Sequence, residues 1–159
     1  MPGNYLRHVG LVTPVCETSA VAAGDIIADT TAIPNFSPAI DQPSYLVKMV
    51  VYDQDDNTAA DLRVIFLANS TSLGSLNSPP NISDTNGLDI IGDVLIASAD
   101  WHDLGGFKWV EIPKEKLPEA MHPKSGTNTL YFAVLAGGST TSTASGLKFR
   151  FYAQDVYPF

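Results

Sequence analysis

One cysteine, Cys16, is present in 159 residues. No disulfide can form within the chain, so the fold must rest on packing and hydrogen bonds. Cys16 itself reads as a small buried or half-buried apolar side chain. A catalytic thiol needs a paired histidine and a cleft, and the sequence displays neither. Basic residues are scarce as well: nine Lys and Arg stand against seventeen Asp and Glu, for a net charge of -8. They are scattered rather than gathered into a stripe, which argues against nucleic acid as a partner and equally against an anionic membrane surface. No stretch approaches the roughly 18 consecutive apolar residues of a membrane helix, and residues 1–10 lack the apolar run of a signal peptide. The expectation is a soluble protein made in a cytoplasm.

Groupings that carry chemistry are also missing. The histidines His8, His102 and His122 lie far apart, and none sits in an H-x-H or H-x-x-x-H arrangement. A cupin-type metal enzyme needs clustered His and Glu ligands. Asp53-x-Asp55-x-Asn57 copies the opening of a calcium loop, but Thr58 stands where that loop requires glycine and Val64 where it requires a bidentate Glu. The segment reads instead as a solvated hairpin turn. No serine nucleophile elbow, phosphate loop or dinucleotide fingerprint occurs. A glycosidase carboxylate pair is invisible at this level, because its separation is a tertiary property. Asn-x-Ser/Thr triplets at Asn35, Asn69 and Asn81 are what a chain rich in Ser, Thr and Asn produces by chance. The sequence therefore predicts no enzyme, no metal site and no cofactor.

What the chain does have is a globular composition, 45% hydrophobic and 16% charged. Its length fits one domain that buries about 70% of the unfolded surface. Sparse surface charge hints that neighbours cover part of the molecule. The apolar pattern has a period near two. In residues 147–154, Leu147, Phe149 and Phe151 alternate with Lys148, Arg150 and Gln154, which places the first set in a core and the second toward water. Similar runs occupy residues 9–13, 25–31, 44–52, 62–68, 88–97, 107–112 and 130–136, giving about eight strands. The run 62–68 is nearly all apolar, as in a strand covered on both faces. Between the runs lie a turn at 53–57, a long polar stretch at 69–87 broken by Pro79-Pro80, a proline-bearing stretch at 113–128 with room for one helical turn at 114–121, and a Gly/Ser/Thr loop at 137–146. An antiparallel β-sandwich follows. The pattern alone leaves jelly roll and Greek key both open.

Four segments resemble the jelly-roll decoration, or cement, proteins of tailed-phage heads. The first runs from Thr13-Pro14-Val15-Cys16-Glu17-Thr18-Ser19-Ala20 through Gly24-Asp25-Ile26-Ile27, with Val21 where an aromatic is frequent. The second is the strand, acidic turn and apolar strand of 46–68. The third is Ile90-Ile91-Gly92 with Val94, Ile96 and Asp100-Trp101. The fourth is the Leu130–Ala136 run, the Gly/Ser/Thr loop and residues 147–155. The resemblance implies one jelly-roll domain over 1–159 with arms at 1–7 and 155–159. It implies a subunit on the outer surface of the capsid that binds major capsid protein and itself, as a trimer or alternatively a dimer. Tyr5, Trp101, His102, Tyr157 and Phe159 are the candidate contact residues. Tyr157-Pro158-Phe159 reads either as an aromatic anchor or as a frayed tail. Trp101, in Asp100-Trp101-His102-Asp103, reads as an interface anchor, as a sugar-stacking platform, or as a plug at one end of the sandwich. Two competing functions remain: a carbohydrate- or receptor-binding module, and another small tail or spike protein of a virion.

Overall fold

The computed structural model describes residues 5–55 and 61–155. Its strands are β1 (Tyr5–Val12), β2 (Ile26–Ile33), β3 (Ser44–Asp53), β4 (Leu62–Leu67), β5 (Ile90–Ile96), β6 (His102–Asp103), β7 (Lys108–Pro113), β8 (Leu130–Ala136) and β9 (Leu147–Asp155). They form two antiparallel sheets, ordered β1-β9-β3-β7-β6 and β2-β8-β4-β5. The pairings nest: β1 with β9, β2 with β8, β3 with β7 and β4 with β5. A long antiparallel hairpin rolled up on itself has this order. It is an all-β jelly-roll sandwich, and the topology that periodicity had left open is thereby decided.

Alternation along each strand builds the core. In β9, Leu147, Phe149, Phe151 and Ala153 are buried while the residues between them are half-exposed. Phe132 meets Phe149 and Phe151 with ring centroids 4.8 and 5.3 Å apart, and Phe66 meets Phe151 edge-on at 6.5 Å. Each such side chain contributes about 1.5–3 kcal/mol on burial. One open side of the sandwich is closed by the connection after β7, which begins with a 3-10 turn at Lys114–Lys116 in place of a longer helical turn. Leu117 and Met121 from this connection enter the core, and Pro118 packs so tightly on Gly92 of β5 that a Cβ there would lie 2.9 Å from it.

The polar stretch at 69–87 does not stand free in solvent. It folds over the outer face of the four-stranded sheet as a flap. Leu73, with 1% of its surface exposed, joins Ile26, Leu67, Ala133 and Leu135 in a second apolar cluster, against which Ile65, Leu76, Ile82 and Tyr131 pack. The flap ends in a one-turn helix, α1 (Asp84–Gly87), capped by the Ser83 hydroxyl, which accepts from the Asn86 N–H. Asp29 of β2 anchors the flap: its carboxylate accepts from the Leu73 N–H at 2.8 Å and from the Ser72 hydroxyl. Burial pushes the Asp29 pKa up, but these hydrogen bonds outweigh it and the net displacement is downward from 3.8.

Two expectations need correction. β3 and β4, which flank 53–57, are not the two arms of a hairpin, because they lie in different sheets. Each is already flanked on both sides, β3 by β9 and β7, β4 by β8 and β5, so neither has an edge to offer the other. Asp55 instead ties down the 137–146 loop. Its carboxylate accepts from the Thr143 N–H at 2.8 Å and from the Thr143 hydroxyl at 2.7 Å, and the Gln54 N–H donates to the Gly146 carbonyl at 3.0 Å. Of the residues assigned to arms, Tyr5–Arg7 belong to β1 and Asp155 to β9, and the rest lie outside the described residues. Arg7 is the reason. Its Nε and Nη2 donate to the buried Asp155 carboxylate at 3.0 Å each, its Nη1 donates to the Asn35 carbonyl at 2.6 Å, and Ser44 donates to the same carboxylate. A paired, hydrogen-bonded charge of this kind is held fast, because removing one partner strands the other away from water.

Two outcomes follow. Gly146→Ala drives a Cβ into the Asp55 carboxylate and should cost about 1–3 kcal/mol in urea unfolding. Gly106→Ala meets nothing within 4 Å and should stay within about 0.5 kcal/mol of the parent. For the flap, the lowered pKa of Asp29 means its stabilisation is complete above the ordinary carboxylate value of 3.8 and is lost as pH falls through the lower folded value. Hydrogen exchange at the Leu73 amide should therefore accelerate below pH 3.8 relative to core amides, and Asp29→Asn should abolish that pH dependence.

Candidate interaction surface

The outer face of the five-stranded sheet has no flap over it among the described residues. Alternation sends Lys148, Arg150, Tyr152 and Gln154 of β9 outward. Next to them on β3 stand Tyr45, Lys48, Val50 and Tyr52, after a register shift between Leu46 and Lys48. Trp109, Glu111 and Pro113 of β7 continue the face on one side. Leu6, His8 and Leu11 of β1 continue it on the other, where a second shift lies between His8 and Gly10. Each shift restores the outward set after one extra residue.

These side chains interlock as cation and ring. Lys48 Nζ lies 4.8 Å from the Tyr152 ring centroid and 3.3 Å from the Glu111 carboxylate. The Arg150 guanidinium lies 5.4 Å from the Tyr52 ring, and its Nε is buried without a hydrogen-bond partner. His8 meets Tyr152 at 5.3 Å, Tyr52 meets Phe107 at 5.9 Å, and Lys114 Nζ lies 5.9 Å from the Tyr45 ring. Cation–ring contacts at such distances are worth roughly 0.5–1 kcal/mol each when exposed. Their larger effect is to hold long side chains in place before any partner arrives. Lys48, Lys148 and Arg150 against the lone Glu111 make the middle of this face cationic on a chain of net charge -8.

The expected contact residues separate. Trp101 turns inward and is half-buried against the main core, with its Nε1 buried and unpartnered. His102, one residue on, is exposed in β6 and lies over Trp109 at 4.8 Å, so it borders the aromatic face. Tyr5 contributes its backbone to β1 opposite Asp155. Tyr157 and Phe159 lie outside the described residues. The sequence pointed to Trp109 as core or subunit contact, since it alternates with Phe107, but the reading missed Tyr52 and Tyr152 beside it. A signal was present, since Tyr52 and Tyr152 occupy outward positions of alternating strands, but only the register makes them neighbours.

Among the described residues no three His, Cys, Asp or Glu side chains gather where they would hold a metal ion, and no helix is long and apolar enough to cross a membrane. Cys16 is buried in the main core, with 3% of its surface exposed, and its thiol is pushed up to about 11, chiefly by burial. At pH 7 the thiolate fraction is then about one in ten thousand.

No protein-family model and no curated protein matches the chain in sequence. Among solved structures, a chain from tomato aspermy virus is 9% identical, with 99% of this chain and 80% of that one covered and a TM-score of 0.44. A chain from deformed wing virus is 8% identical, covering 98% and 81%, with a TM-score of 0.40. One from an expanded equine rhinitis A virus particle is 13% identical, covering 99% and 78%, with a TM-score of 0.37. The nested strand order establishes the jelly roll independently of these likenesses.

The native thiol should be silent toward a disulfide reagent at neutral pH and should react stoichiometrically once the chain is unfolded in guanidinium. Rapid labelling of the folded protein would contradict this burial.

Proposed function

We propose that the chain is a structural virion protein: a decoration (cement) subunit that sits on the outer surface of a tailed-phage head, bridges major capsid proteins, and acts by binding rather than catalysis. The observation that carries this reading is the asymmetry of the two sheets. One outer face is sealed by the chain's own flap, whereas the other, among the described residues, is left open with rings and cations already arranged. Arg, Tyr and Trp are the residues that dominate protein interfaces, and a pre-ordered set loses less entropy on docking. The phage head itself comes from the family resemblance of the sequence. Tyr5 pairs with Asp155, so the start of β1 lies beside the end of β9. We assign Tyr157 and Phe159 to the capsid contact, and His102 to the rim of the open face.

A glycan-binding module uses bare aromatic rings as platforms. Here a sugar stacking on Tyr152 or Tyr52 must first displace Lys48 or Arg150, and Trp109 already carries His102. Protein is the better fit to a face arranged in this way.

The test compares phage heads with and without the subunit. The protein should co-purify with full heads, and heads lacking it should rupture at lower temperature and more readily under chelators. Equal robustness of the two preparations, or labelled electron microscopy placing the protein on the tail, would overturn the assignment.

A further inference from the structure

Strand β5 is the last strand of the four-stranded sheet. The opposite end of that sheet is protected, since backbone bonds from Glu17, Asn77 and Ser78 reach Ile26 and Ile27 on β2. Among the described residues, no backbone group from outside the sheet bonds to Ile90–Ile96. The strand is seven residues long and apolar, and such an edge invites a partner unless it is blunted. Leu88, Ile90 and Leu95 expose 84, 40 and 67% of their surfaces along it. Carboxylates accompany them. Asp84 and Asp93 are exposed, Asp89 is half-exposed, and Asp61 and Asp100 line a groove beside residues 93–97. Arg63 and Lys116, paired with Asp93 and Asp100, are the cations here, so the strip is net acidic.

The molecule thus carries two unlike surfaces: an acidic, aliphatic strip along β5 and a cationic, aromatic sheet face. Neither can mate with its own twin, because like charges would meet across the contact at a cost of several kcal/mol. Each suits the other. We propose that the β5 strip of one copy seats on the outer face of the five-stranded sheet of a second copy. This inference rests on the reading of that face as a mating surface and names its occupant. Because the two surfaces differ, the contact is head-to-tail. It repeats from copy to copy until the rotation closes a ring. Arg150 and Lys48 meet the carboxylates of Asp93 and its neighbours, while Leu6 and Leu11 meet Leu88, Ile90 and Leu95. The apolar contacts and the summed attraction of the two oppositely charged surfaces carry the affinity together, and the charges also select the orientation.

The test uses the full chain and light scattering for native mass, with far-UV circular dichroism to verify folding. Wild type should be oligomeric at low salt and lose mass at molar salt, where screening shrinks to about 3 Å. A face variant, Lys48→Glu with Arg150→Glu, should be monomeric, and so should an edge variant, Asp84→Lys with Asp93→Lys. Mixed in equal amounts, the two variants are complementary at both surfaces and should associate again into complexes containing both. A wild-type oligomer indifferent to salt and to both variants would sink the proposal. So would a monomeric wild type, and there the head-binding assay separates the two readings. Loss of head binding by the face variant would leave the face as a mating surface with another occupant. Unchanged head binding would remove that reading too.

Discussion

The alternation of β9 between β1 and β3 is the constraint on which the molecule turns. Because successive side chains point to opposite sides of a strand, one set (Leu147, Phe149, Phe151, Ala153) is committed to the core, and the other (Lys148, Arg150, Tyr152) is delivered to the outer face. The Arg7–Asp155–Ser44 cluster locks the register at the end of β9. A slip of one residue there would exchange the two sets, putting cations among phenylalanines, so the core and the open face are specified together.

The carboxylates on the body of the sandwich serve mainly as anchors. Asp155 fastens the chain ends, Asp29 holds the flap, and Asp55 holds the 137–146 loop, each through hydrogen bonds to groups far away in sequence. This gives an acidic chain a rigid body with no disulfide. It also gives a different role to the acid-rich turn that opens like a calcium loop, since the Asp55 oxygens are occupied by Thr143.

The two sheets diverge in what lies over them. A flap with Leu73 at its centre makes the four-stranded sheet a three-layer region, while the five-stranded sheet presents rings and cations directly to its surroundings. The one thiol is sealed in the core.

Period-two patterning determined all eight long strands, often to within a residue or two, because burial on one face is written directly into alternating side chains. It did not determine which strands are neighbours. The tight-turn reading of 53–57 failed because a local signal cannot report that β3 and β4 already have partners contributed by distant segments. The arm expected at 1–7 gave way at Arg7 for the same reason, since its anchor lies 148 residues away. Composition revealed scarce cations but not that Lys48, Lys148 and Arg150 converge. That convergence, like the flap and the aromatic ladder, was decided by tertiary structure alone, because register is a relation between strands and no single strand contains it.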